Sequence, residues 1–288
     1  MKPTKTILLL FLISVVTFSC SSDSNTDVNE YVDLEAASFE DVAYGDHESQ
    51  VYDIFLPAHR DEDTKTLILI HGGGWTSGDK KDMNGFVELI KNDLPNTAIV
   101  NMNYRLANEA AEAFPMQIND VSGVVNHVKS KLNDYQISDD FGLIGTSAGA
   151  HLAMLWCYAF DNDRDAKMVC SIVGPTNFTD PAYLESEEFE NLLLLQELYG
   201  IDLSLEFLKT LSPYHQVTAD APPTILFYGG QDPLVPVSQG SMLQSKLQEL
   251  GVMHEYTLYP DAGHGWAGLE LLDTWSKLKS FITAHLED

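Results

Sequence analysis

The chain has 288 residues, 44% of them hydrophobic, enough to bury a sizeable core in one large domain and to rule out disorder for most of its length. Sixteen Lys and Arg stand against 43 Asp and Glu, a net charge of -27. At long range such a surface repels phosphate backbones and anionic membrane faces, which argues against nucleic acid as a partner and suits solubility in an extracytoplasmic or salty setting.

The first element is "MKPTKTILLLFLISVVTFSC", two lysines followed by an uncharged run from Thr6 to Cys20. Its apolar core has the length of a secretory h-region and is too short to span a bilayer, so residues 1–19 read as a signal peptide. Cys20, preceded by the small Ser19 and followed by "SSDSNTD", resembles the processing site of bacterial lipoproteins, with Thr17 where leucine is usual. That resemblance implies a lipidated Cys20, membrane contact through the lipid alone, and a periplasmic or cell-surface location at the outer membrane. Soluble secretion is the alternative. Residues 20–34 are rich in Ser, Asp and Asn without periodicity, as in a flexible tether, and the folded domain is expected over 35–288.

"FEDVAYG" and "SQVYDIFLP" have strand composition and flank "DHE", which predicts an opening antiparallel hairpin. The runs "TLILI", "TAIVNMNY", "FGLIG", "MVCSIVG", "TILFYGG" and "HEYTLYP" are short and apolar, as strands covered on both faces must be. Between them Val121, Val124, Val125 and Val128, and later Met242, Leu243, Leu247 and Leu250, fall at helical spacing, with a last helix expected from about Glu270 to Leu286. Alternating strands and helices predict an α/β fold, a mainly parallel sheet with helices on both faces and ligands at the carboxyl ends of its strands. Cys157 and Cys170 sit in apolar runs and read as buried thiols, a bridge between them requiring helix and strand to cooperate.

Chemistry-bearing segments follow several of these strands. "LILIHGGGWTSGDK" runs from strand into His71 and three glycines, either a plain turn, a phosphate loop or a set of exposed backbone donors; no "GK[ST]" follows it. "FGLIGTSAGAHLAMLWCYAF" is a strand, a G-x-S-x-G centred on Ser147, and an apolar helix, the context in which a tight turn presents a serine hydroxyl. Such a serine needs a base and a carboxylate to orient it. Asp232 follows "TILFYGG", and His264 follows "HEYTLYP" in a glycine-flanked loop, in the order Ser, Asp, His. Asp261 competes with Asp232, and His151 lies one helical turn after Ser147 with its side chain expected along the helix. Acyl transfer places negative charge on a carbonyl oxygen, which assigns the amides of Gly73, Gly74 and Ala148 to an oxyanion hole. His71 is then expected to hold the loop, and Trp75 to floor a pocket or fill the core.

"HGGGW", "NYRLANEAAEAFPMQINDV", "GTSAGAHLAML", "GGQDPLVP" and "YPDAGHGW" together resemble the α/β-hydrolase superfamily, in its esterase branch related to hormone-sensitive lipase and to feruloyl and acetylxylan esterases. Ala150 stands where many relatives carry a second glycine. The resemblance implies Ser147 as nucleophile, His264 as base and Asp232 as its orienter, with Arg105 and Asp120 holding loops, and no metal or organic cofactor. It also implies a small cap insertion over residues 175–221, in which "NLLLLQELYG" and "LSLEFLKTL" have amphipathic helical patterns that suit a pocket wall or simple packing. "DNDRDA" (161–166) has the alternating aspartates of a calcium loop but lacks its glycine and terminal glutamate, and reads as a solvated turn. The implied substrate is a small ester or an acylated saccharide. The alternatives are a generalist short-chain carboxylesterase, a serine peptidase and a non-catalytic surface-binding protein.

Overall fold

The computed structural model describes residues 34–108, 110–185 and 204–287. Signal peptide, Cys20, nearly all of the tether and "NLLLLQELYG" lie outside the described residues. Strands β1 (Ala37–Ala43) and β2 (Val51–Leu56) form the expected hairpin, antiparallel and irregular in register between Phe39 and Val42. They open an eight-stranded sheet with β3 (Thr66–Ile70), β4 (Ala98–Met102), β5 (Phe141–Thr146), β6 (Ala166–Ile172), β7 (Thr224–Gly229) and β8 (His254–Tyr259). The order is β1-β2-β4-β3-β5-β6-β7-β8, with every pair from β4 to β8 parallel.

The two-residue period of a strand explains why these runs are wholly apolar. Ile68 and Ile70 of β3 point into one core with Val100, Leu143 and the valines of α2 (Ala113–Lys129). Leu67 and Leu69 point into the opposite core, with Val87 and Ile90 of α1 (Asn84–Asp93). A one-turn helix, α3 (Leu132–Tyr135), leads into β5. The helix after β5, α4 (Ala148–Ala159), is buried from Ala148 to Tyr158, as its unbroken apolar sequence requires. Further α-helices among the described residues are α5 (Pro181–Leu184), α6 (Leu205–Leu211), α7 (Pro213–Gln216), α8 (Val237–Leu250) and α9 (Leu269–Ile282). The last runs on as a π-helical turn, Thr283–Glu287, where a continuous α-helix was expected. Cys157 and Cys170 are free and buried, and burial pushes both thiols up.

The chain leaves β3 for β4 on one side and returns to β5 on the other. The loops after β3 and β5 therefore diverge from neighbouring strand ends, where open parallel sheets bind ligands.

Candidate active site

β3 and β5 pair with Ile70 opposite Gly145, so the segment after Ile70 and the serine after Thr146 emerge side by side. The two glycines of the G-x-S-x-G are there for contact. A Cβ on Gly149 would stand 2.2 Å from Ile70 O, and one on Gly145 would stand 2.3 Å from Gly149 O, so α4 starts against bare backbone. Between them Ser147 adopts φ 52 and ψ -121, sparsely populated for a non-glycine residue and held here by its amide donating to Ile172 O at 2.8 Å. This conformation turns the hydroxyl out of the strand and towards the loop after β8.

Two cross-ties bring the loops after β7 and β8 together: Gly230 N donates to Tyr259 O and Gln231 N to Ala262 O, each at 2.8 Å. Asp232 and His264 meet as a result. Asp232 Oδ1 accepts from the amides of Leu234 (2.8 Å) and Val235 (3.0 Å), leaving Oδ2 to accept from His264 Nδ1 at 2.8 Å. The carboxylate side chain is fully buried and the imidazole 21% exposed. With Nδ1 protonated, His264 Nε2 is an acceptor, and it lies 2.8 Å from Ser147 Oγ. Asp261, the competing carboxylate, is exposed and makes no bond to His264. Beyond His264, Trp266 donates to Thr274 Oγ1 at 2.8 Å, which fixes the loop to α9.

The loop after β3 is held from beneath. His71 is fully buried, stacks on Tyr104 (centroids 4.3 Å apart) and donates from Nδ1 to Gly72 O at 2.7 Å. Burial lowers its pKa, which favours the neutral ring, and its Nε2 has no partner among the described residues. Tyr104 Oη donates to His71 O at 2.9 Å. Sequence reasoning gave His71 its supporting place and missed Tyr104, whose aromatic ring only the tertiary fold brings beneath β3. Gly73 has φ 111, and its carbonyl accepts from Ser77 N (2.9 Å) and Ser77 Oγ (2.8 Å). Among the described residues the amides of Gly73, Gly74 and Ala148 have no acceptor. Gly72, which was not singled out from the sequence, touches the serine most closely: a Cβ there would stand 3.1 Å from Ser147 Cβ.

The supporting residues behave as the sequence implied. Asp120, 1% exposed, accepts from Arg105 Nη2 (2.6 Å), Nε and backbone N and from Gln50 Nε2, locking the loop after β4 to α2. Both ring nitrogens of His151 are engaged by Trp75 and Leu211 rather than by the Ser147 hydroxyl. Trp75 packs with Phe178, and the described part of residues 175–221 builds a small core of Phe178, Tyr183 and Leu208 against it. In the "DNDRDA" turn Asp161 caps the amides of Asp165 and Ala166, while Lys129 Nζ lies 2.9 Å from Asp163 and 2.6 Å from Asp165. Its carboxylates are satisfied by the chain itself.

Residues 52–247, from β2 into α8, match the BD-FAE family model. The chain belongs to the BD-FAE family. Beyond this BD-FAE match, it is 26% identical over 251 residues to Esterase LipC of Mycobacterium tuberculosis (strain ATCC 25618 / H37Rv), covering 81% of this chain and 60% of that protein. It spans about half the length of the other esterases of that organism that it matches. Among solved structures, a bifunctional GH43-CE protein of Bacteroides eggerthii superposes with a TM-score of 0.72 at 22% identity, covering 86% of this chain and 38% of that one. A truncated carbohydrate esterase from gut microbiota superposes at 0.70 and 22% identity, covering 86% and 98%. The BD-FAE chain has the α/β-hydrolase fold that these superpositions share.

Proposed function

We propose that the chain is a serine carboxylic ester hydrolase that removes acetyl or feruloyl groups from saccharide substrates. The observation that carries this reading is the continuous hydrogen-bonded relay from Asp232 through His264 to Ser147. A general acid–base step needs this reach, about 3 Å between heavy atoms.

In the first half-reaction His264 Nε2 takes the proton of Ser147 Oγ as the oxygen bonds to the ester carbonyl carbon. The carbonyl oxygen becomes an oxyanion beside the amides of Gly73, Gly74 and Ala148. The tetrahedral species then collapses, the bond to the alcohol oxygen breaks, and His264 returns the proton to that oxygen. Water repeats the sequence on the acyl-serine and releases the acid. Asp232 holds the imidazole in the required tautomer and stabilises its charged form.

The saccharide part of the proposal draws on two things: the likeness to carbohydrate esterases among solved structures, and the reading of residues 1–19 as a signal peptide. The test is a panel of p-nitrophenyl acetate, p-nitrophenyl octanoate, methyl ferulate, acetylated xylan and a peptide amide. Turnover of the acetate ester together with acetylated xylan or methyl ferulate is expected. Turnover of the p-nitrophenyl esters alone would leave a generalist short-chain carboxylesterase. Cleavage of the amide would favour a peptidase, and an inert panel would reject catalysis.

We further propose export and attachment to the outer membrane through a lipid on Cys20, with residues 21–34 as the tether. Cys20→Ala is expected to move the protein from the membrane to the soluble fraction. Unchanged fractionation would refute lipidation at that residue.

A further inference from the structure

His151 lies one helical turn after Ser147, and the relay does not use it. It is 4% exposed, and its amide donates to Ser147 O at 3.1 Å, so it rides on the first turn of α4. Both ring nitrogens are engaged. Trp75 Nε1 donates to His151 Nδ1 at 3.2 Å, and because an indole N–H can only donate, Nδ1 carries no proton. The proton is therefore on Nε2, which donates to Leu211 O at 2.8 Å. The ring also packs edge-on against Trp75 and Phe178, with centroids 5.4 and 5.1 Å away. Desolvation lowers its pKa to about 4, and the neutral form that both bonds require persists at ordinary pH.

The partners belong to different segments. Trp75 directly follows Gly74, has φ 63, and is anchored through its carbonyl by Ala107 N (2.9 Å) and Gln117 Nε2 (2.6 Å). Leu211 ends α6, in the segment that follows β6 at the carboxyl edge of the sheet. One imidazole thus joins the loop after β3, the start of α4 and the end of α6.

Leu208 of α6 packs with Phe178 and Tyr183 against Trp75, so α6 lies on the same loop as Gly73 and Gly74. We propose that His151 is a positioning residue with two separable effects, setting the amides of Gly73 and Gly74 against Ala148 through Trp75 and holding the α6 segment as a wall of the substrate site through Leu211. The proposal rests on the serine-hydrolase reading. The two effects act at different points of the reaction. Oxyanion donors act most strongly on the transition state, so displacing them lowers kcat. A wall touches the substrate in ground and transition state alike, so loosening it raises KM.

Two substitutions divide the ring. His151→Asn keeps an acceptor where Nδ1 lies and is too short to reach Leu211. His151→Gln places an amide donor where Nε2 lies and offers Trp75 no acceptor. On p-nitrophenyl acetate, His151→Gln is expected to lower kcat about tenfold with little change in KM, since misplacement of groups around the reacting atoms has effects of this order or larger. His151→Asn is expected to raise KM severalfold with a smaller loss in kcat. Trp75→Phe removes the indole N–H, should reproduce the kcat loss, and should not add to His151→Gln; it decides the matter if a histidine variant fails to fold. Equal losses in the Asn and Gln variants, or additive effects of Trp75→Phe and His151→Gln, would overturn the division. Retention of full turnover by Ser147→Ala would instead overturn the hydrolase reading itself.

Discussion

Ser147→Ala is expected to lower kcat/KM for p-nitrophenyl acetate by about 10⁴-fold or more while leaving the folded structure intact. The substitution deletes one oxygen, the atom 2.8 Å from His264 Nε2, and among the described residues that side chain makes no other hydrogen bond. The backbone that strains Ser147 into φ 52 is held by Ile172 O and by the close approaches at Gly145 and Gly149, none of which involves the hydroxyl. Alanine inherits the same conformation, and the thermal midpoint should move by no more than a few degrees. Parallel measurement of turnover and unfolding separates loss of the nucleophile from loss of the fold. Undiminished turnover would remove Ser147 from the mechanism.

Asp232→Asn is expected to lower kcat by about 10³- to 10⁴-fold, as tautomer reversal does in related constellations. The reason lies in the two oxygens of the carboxylate. Oδ1 accepts from the amides of Leu234 and Val235, so an asparagine must place its carbonyl oxygen there. Its NH2 group then occupies the Oδ2 position and faces His264 Nδ1 as a donor. The imidazole can pair with it only by moving its proton to Nε2, and in that tautomer it has no lone pair for the Ser147 hydroxyl. Asp261→Asn is the control: the residue is exposed and apart from the imidazole, and its activity should remain near wild type. The assignment fails if the two variants fall equally, or if Asp261→Asn falls further.

The chain order Ser, Asp, His was legible because each residue sits just past a strand end, and strand ends are marked locally by apolar runs giving way to glycine, proline and aspartate. G-x-S-x-G was equally legible, since the steric demand at Gly145 and Gly149 arises within one strand, one turn and one helix. Chain order and the family resemblance favoured Asp232 over Asp261, but local sequence showed no contact that separates them. Both follow a strand, and the choice falls to hydrogen bonds between the loops after β7 and β8.

Gly72 illustrates the same limit. Three adjacent glycines look alike in sequence, and only the pairing of Ile70 with Gly145 decides which one lies against Ser147. His151 is the extreme case. Its sequence position says that it follows Ser147 by one helical turn, while its partners lie 76 and 60 residues away. By itself the sequence determined the alternation of strands and helices, the apolar helix behind Ser147, the glycine-rich loop and the order of Ser147, Asp232 and His264 along the chain. These depend on the two-residue and 3.6-residue periods and on turn sterics, which act over a few neighbouring positions. The tertiary structure alone showed the contact between Asp232 and His264 and decided which glycine meets Ser147 and what His151 holds, because those contacts exist only once parallel strands pair in register and bring distant loops to one edge of the sheet.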